Sequence, residues 1–235
     1  MMNGQKKIVV GLETGFSGGS LSILENGTEI DFYVNNGAGA KTDDLLPKLG
    51  ELLGKNGLRK REIDLIAVSA KQGSLTGNRI GLAIARGLAA SLPAKLTEIS
   101  LLEAFAFQNR NRRRVVAAVM NVTGKVFCEE FEVRGDACLE SRGDSEELTP
   151  EAFKTRIMNL KEEAPAGIFC ENTLRIFSGP ESESQSGSPQ LYQFLPDFDI
   201  QIVEGNWARL TALAGIYHAS DNEKKESINH KVIKS

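Results

Sequence analysis

The chain has 235 residues, 41% hydrophobic and 25% charged, enough apolar material for one large core or two small ones. A net charge of -3 argues against a protein that grips nucleic acid by itself, because a phosphate backbone calls for a concentrated basic field. Cys128, Cys138 and Cys170 are odd in number and lack Cys-x-x-Cys spacing, which fits reduced thiols in a cytoplasmic setting. MMNGQKK leads straight into a strand with no apolar leader, and no stretch reaches the roughly 18 apolar residues of a membrane span, so neither secretion nor membrane insertion is expected.

Ile8 to Leu12 is a β-rich apolar run, Ser20 to Leu24 alternates serine with leucine and isoleucine, and Glu29 to Val34 is a third strand. Asn26-Gly27 makes a tight turn between the last two. The loop joining the first two, Glu13-Thr14-Gly15-Phe16-Ser17-Gly18-Gly19, is rich in glycine and hydroxyls. Its residues alone fit a flexible hairpin. After the linker Gly37-Ala38-Gly39-Ala40, Thr42 is an N-cap with Asp43 and Asp44 in the first turn of a helix that runs to about Asn56, where Gly57 stops it. Leu45, Leu46, Leu49, Leu52 and Leu53 make one broad stripe along it, and Pro47 is tolerated in its first turn.

The apolar run Ile63 to Val68 is the next strand, and residues 73 to 90, GSLTGNRIGLAIARGLAA, then form a small-residue turn feeding a helix. Ser74 or Thr76 caps that helix, whose leading amides make a ready anion site. From Asn78 to Leu92 only Asn78, Arg79, Arg86 and Ser91 are polar, so burial nearly all round is expected. Gly81 and Ala85, like Ala83 and Gly87, lie one turn apart and permit close approach by another helix. This is either an ordinary core helix or a surface covered by a second chain.

Ala94 to Ile99 is a short strand, and Ser100 caps a helix containing Leu101, Leu102, Ala104, Phe105, Ala106 and Phe107. The basic stretch Gln108 to Arg114, a solvated linker between lobes or else a segment that touches RNA in a larger complex, leads to a second hairpin, Val115 to Val119 and Val126 to Val133, turning at Asn121-Val122-Thr123-Gly124. Residues 135 to 148 are expected as an acidic surface loop. Thr149-Pro150-Glu151 starts a helix to about Leu160. Ala166 to Cys170 and Leu174 to Phe177 are short strands, Ser178 to Pro189 a mobile loop, and Trp207 to Tyr217 a final helix. Beyond about Ser220 a charged tail is expected to be unordered or helical only on a partner. The two histidines, His218 and His230, lie at the end of that helix and in the tail, so no clustered His/Cys metal site and no Ser-His-carboxylate set is expected; Walker and Gly-x-Ser-x-Gly motifs do not occur.

The stretch GSLTGNRIGLAIARGLA resembles the signature of the TsaB (YeaZ) family, G-P-G-S-F-T-G-x-R-I-G-L-A-x-A-x-G-L-A, and LTEISLLEAFA resembles that family's V-G-V-S-S-L-E-A-L-A. The resemblance runs over roughly residues 7 to 217. Lys71 and Gln72 replace Gly-Pro, Lys41 replaces a histidine ahead of Asp43, Leu45 and Pro47, and Asn121 stands where an aspartate is usual. Glu13-x-Gly15 weakly resembles the Asp-x-Gly phosphate hairpin of sugar kinases, actin and Hsp70-like ATPases. The implied fold is α/β of the ASKHA (actin/Hsp70-like ATPase) type, two ribonuclease-H-like lobes with mixed sheets and the second reduced: residues 1 to 110, residues 111 to 219, then a polar tail, 220 to 235.

By the same resemblance the chain is a non-catalytic scaffold or activator that dimerises with a TsaD-like transferase making threonylcarbamoyladenosine on tRNA. It would keep the complex competent for a TsaE-like ATPase, meet tRNA only through the complex, and pair with itself when TsaD is absent. Leu45, Leu49 and Leu52 with Gly81, Leu82, Ala85 and Leu88 are the implied partner surface. A phosphate-bearing ligand could sit near Glu13, Thr14, Ser74, Thr76 and Arg79, while no catalytic residue, metal or required cofactor is implied. Two alternatives stand beside this: a small-molecule phosphotransferase or ATPase on the same fold, and a degenerate TsaB-like interaction module, motivated by Lys41, Gln72 and Asn121.

Overall fold

The computed structural model describes residues 6–16, 18–35, 44–109, 111–121, 123–134, 138–160, 166–170, 199–203 and 206–233. The chain divides into two units, Met1–Ala104 with Asn206–Ser235, and Phe105–Gly205.

In the first unit a hairpin pair supplies strands β1 (Ile8–Glu13), β2 (Ser20–Glu25) and β3 (Thr28–Val34), followed by helix α1 (Leu45–Lys55), strand β4 (Ile63–Ala70), helix α2 (Leu75–Ser91), strand β5 (Lys95–Ser100) and the first residues of the short helix α3 (Leu101–Ala106). The sheet order is β3-β2-β1-β4-β5, with the hairpins antiparallel and β4 and β5 parallel to β1. The period of two along β1 sets its two faces. Ile8, Val10 and Leu12 join Leu21 and Ile23 under Leu45, Leu49, Leu52 and Leu53 of α1 and Ala85 and Leu88 of α2. Val9 points the other way, to Leu24, Leu65 and Ala212.

Helix α1 ends as the sequence predicts. Gly57 takes φ +66°, so its N–H reaches the Gly54 carbonyl at 3.1 Å and the Leu58 N–H reaches Leu53 at 2.9 Å. That left-handed stop satisfies two helix carbonyls at once. The helix starts at Leu45 with Asp44 as its cap residue, and the predicted cap Thr42, with Lys41 and Asp43, lies outside the described residues.

Ala212 belongs to the closing helix, α5 (Trp207–Ile233), which packs on the first unit's sheet, whereas the sequence reading placed the last helix in the second lobe. Two glycines let it lie flat. A Cβ at Gly11 would come within 2.0 Å of the Ala208 carbonyl oxygen, and one at Gly215 within 2.5 Å of the Ala67 side chain. Sequence adjacency to the second lobe misled here, because the helix's apolar side matches the face of β1 and β4. The backbone stays helical through Ile233, past the Ser220 boundary expected for the tail. Gly11→Ala is expected to cost about 2–3 kcal/mol by forcing α5 away from β1, read as a lowered urea midpoint with an unchanged slope.

The second unit repeats the plan. Strands β6 (Arg114–Met120), β7 (Val126–Arg134) and β8 (Cys138–Ser141) are antiparallel neighbours, and β9 (Glu146–Leu148) also pairs with β7. After helix α4 (Pro150–Asn159), strands β10 (Ala166–Cys170) and β11 (Asp199–Val203) add in parallel, for an order β11-β10-β6-β7-β8. Phe153 and Ile157 of α4 close a core over Val116, Ala118, Val126 and Cys128. Thr149 caps α4, accepting from the Ala152 N–H at 3.2 Å.

Two strands, β8 and β9, replace the acidic loop expected at residues 135 to 148. Backbone pairing to β7 holds them, and their charged side chains suit an edge. Glu130, 9% exposed, is clasped by Arg114 and by Arg142, the latter at 3.4 Å. The predicted strand Leu174 to Phe177 and the loop Ser178 to Pro189 lie outside the described residues.

Candidate functional site

The ends of β1 and β4 lie side by side in parallel, so the turn after β1 meets the turn that starts α2. Crevices beyond the carboxyl ends of parallel strands are where open α/β sheets bind ligands. Three of the five predicted ligand residues come together here. Glu13 ends β1 with 3% of its surface exposed, and its Oε1 accepts from the Gly15 N–H at 2.6 Å and the Phe16 N–H at 3.0 Å. The Gly15 carbonyl accepts from the Ser74 N–H at 2.7 Å. Ser74 caps α2 as predicted, its Oγ accepting from the Gly77 N–H at 3.2 Å.

Thr14 rides on α2 where that helix has no side chains. A Cβ at Gly77 would meet the Thr14 carbonyl oxygen at 2.0 Å, and one at Gly81 would meet Thr14 Oγ1 at 2.1 Å. The other two predicted residues, Thr76 and Arg79, are exposed on α2.

Gln72 is a member of this site that sequence reasoning noted only as a departure from the family. It is 2% exposed, and its Oε1 accepts from Ser100 Oγ at 3.1 Å and from the Leu101 N–H at 3.0 Å, tying the start of α2 to the start of α3. Its backbone carbonyl accepts from Asn78 Nδ2 at 2.8 Å. Lys71 before it takes φ +79°, a left-handed conformation suited to the glycine usual in the family. Three buried polar atoms around these turns, Thr14 Oγ1, Gln72 Nε2 and Asn78 Oδ1, have no hydrogen-bond partner.

Burial pushes the Glu13 carboxyl up to about 8, and the amides of Gly15 and Phe16 offset this only in part. At neutral pH the group is an uncharged acid. A nucleotide phosphate with its cation, the ligand usual for this kind of hairpin, does not fit such a site. The charge that would hold the cation is missing, two loop amides already serve Glu13, and the Ser74 N–H serves Gly15. In the second unit Asn121 Oδ1 is likewise spent on its own turn, accepting from the N–H groups of Thr123 (2.9 Å) and Lys125 (3.0 Å). Among the described residues no group of three His, Cys, Asp or Glu side chains could hold a metal ion, and no helix is long and apolar enough to cross a membrane.

The family model described as "TsaD: tRNA N6-adenosine threonylcarbamoyltransferase" matches residues 39–133. The tRNA threonylcarbamoyladenosine biosynthesis protein TsaB of Escherichia coli is 25% identical over 158 residues, 66% of this chain and 68% of that protein. TsaB of Haemophilus influenzae is 31% identical over 139 residues, 56% of this chain and 58% of that protein, so the match spans little more than half of that relative. A solved structure of YeaZ from Pseudomonas aeruginosa superposes with a TM-score of 0.60 at 19% identity, covering 91% of this chain and 93% of that one. The chain is similar to TsaB/YeaZ proteins in sequence and in fold. Its fold is of the ASKHA type. A putative N-acetylglucosamine kinase from Porphyromonas gingivalis shares it at a TM-score of 0.52 and 6% identity, over 90% of this chain and 99% of that one.

The TsaB-like helix pair differs from expectation in which side it turns outward. Of the residues assigned to a partner surface, Leu45, Leu49, Leu52, Gly81, Ala85 and Leu88 are buried within the first unit, and Leu82 is half-buried against the same core. Burial of α2 nearly all round is not observed. A seam of Gly77, Gly81, Ala85 and Leu88 carries the inward contact, and small residues in that seam let the helix lie low on the sheet. The opposite side, with Leu75, Arg79, Ala83, Arg86, Gly87 and Ala90, is exposed, and a Cβ at Gly87 would meet nothing within 4 Å. On α1 the open side carries Leu46, Pro47, Glu51 and Gly54.

Proposed function

We propose that this protein takes part in the threonylcarbamoyladenosine modification of tRNA as a non-catalytic subunit, docking a TsaD-like transferase on the outward side of α1 and α2. The observation that carries the reading is the open, small-residue side of α2. Ala83, Gly87 and Ala90 leave the helix backbone bare to an incoming helix, with Leu75, 65% exposed, at one end. Arg79 and Arg86 flank that strip, although Arg86 is held by Glu98 at 2.9 Å. The similarity to TsaB suggests the transferase as occupant; a TsaE-like ATPase would then act on the assembled complex, and the same side would pair two copies of this chain when the transferase is absent. Transfer chemistry would belong to the partner, because the turn around Glu13 holds a neutral acid whose loop amides are already engaged.

Ala83→Arg and Gly87→Arg test this without touching the core. Each should lower recovery of the TsaD-like protein in a pull-down at least about tenfold, the loss expected when a long charged side chain enters a close helix contact, while melting stays unchanged. Cells relying on the variants should also lose threonylcarbamoyladenosine, weighed by mass spectrometry of digested tRNA. Full recovery of the partner by both variants would remove the proposed surface.

A further inference from the structure

The turn after β1 is closed by its own side chain. One oxygen of Glu13 takes the two amides, Gly15 and Phe16, that a phosphate oxygen takes in a nucleotide-binding hairpin. The same turn is fastened to α2 by the Ser74 N–H on the Gly15 carbonyl, and by the fit of Thr14 into the side-chain-free stretch at Gly77 and Gly81. Carboxyl, turn and helix start thus form one mechanical unit.

We infer that the Glu13 carboxyl is a clasp that fills the phosphate cradle from within and holds the β1–β2 turn shut against the start of α2, and that loss of its proton opens the clasp. Among the described residues no charged side chain forms an ion pair or hydrogen bond with Glu13, whose shift comes from burial and the Gly15 and Phe16 amides. The charged groups on the neighbouring elements are Lys71 and Arg79 around the start of α2, Arg209 at the start of α5, and Asp44 and Lys48 at the start of α1, and none of them is among the causes of the Glu13 shift. An ionised carboxylate in that space must draw in water or leave it. Gly15 and Phe16 move with it, and the Gly15 carbonyl then releases Ser74. Opening also offers partners to Thr14 Oγ1, Gln72 Nε2 and Asn78 Oδ1, which have none in the closed form, so part of its cost is returned. As regulation of the outward side of α2 the inference rests on the docking reading; as a property of the turn it does not.

The test is nuclear magnetic resonance on the full chain. The carboxyl carbon of Glu13 should titrate near 8. Amide exchange of Phe16 and Ser74, corrected for its intrinsic dependence on pH, should speed up about tenfold between about pH 7 and 9 in the natural chain. It should stay flat in Glu13→Gln, whose uncharged amide oxygen keeps both backbone bonds. A carboxyl midpoint in the ordinary glutamate range, or the same acceleration in Glu13→Gln, overturns the clasp. A pull-down that fails with the natural chain at both pH values, while the exchange result holds, removes the docking reading and leaves the clasp standing.

Discussion

Leu49→Asp is expected to unfold the first unit at neutral pH, whereas Gly54→Asp, five residues on along the same helix, should leave it intact. Leu49 is fully buried in the core between α1, α2 and the sheet. Losing its burial costs about 2–3 kcal/mol, and an unpaired carboxyl forced into the same space costs several more, whether it ionises or takes up a proton. A sum above about 5 kcal/mol rivals the whole stability of an ordinary domain. Gly54 is exposed and a Cβ there meets nothing within 4 Å, so its substitution should stay within about 0.5–1 kcal/mol of neutral. Far-ultraviolet circular dichroism with a urea titration reads both. A folded Leu49→Asp would mean that α1 turns its leucines outward, and the assignment of Ala83 and Gly87 to the partner side would fall with it.

That contrast marks where the sequence stopped being readable. The leucine spacing of α1 and the glycine after it located the helix and its stop, because periodicity and a left-handed terminator are local signals. The strand–turn–helix of β4 and α2 was equally plain, and Ser74 caps the helix from the position expected. Which side of α2 faces the sheet was not legible. Glycine and alanine occur on both sides, so no hydrophobic stripe singles out Gly77, Gly81 and Ala85 from Ala83 and Gly87. The deciding fact is the passage of Thr14 across Gly77 and Gly81, a contact between residues more than 60 positions apart.

The closing helix shows the same limit at larger scale. Its docking depends on Gly11 and Gly215 being bare at the crossing with β1 and β4, and a glycine inside a strand says that something comes close without saying what. At the site, the hairpin loop and helix cap were both found, but the protonation of Glu13 was not, since a pKa is set by enclosure rather than by residue type. Gln72 read as the loss of a family proline. In the fold it is a buried tie between the starts of α2 and α3.

Glu13→Gln should stabilise the protein by about 3 kcal/mol near pH 7 and remove part of its pH dependence. The folded chain holds the Glu13 proton up to about 8, while the unfolded chain releases it near the ordinary glutamate value of 4.5. Between those values the native state therefore binds one proton more than the unfolded state, so stability falls as pH rises, by about 1.4 kcal/mol per pH unit from this group. The contribution is fully present below the unfolded value and lost as pH climbs through the folded one. Glutamine keeps an oxygen for the Gly15 and Phe16 amides and carries no proton to lose, so its urea midpoint should be flatter from about pH 5 to 8 and lie above that of the natural chain throughout the upper half of that window. Coincident curves would mean that Glu13 is already ionised in the folded state, and an ionised group there would restore the negative charge that a phosphate-bound cation needs.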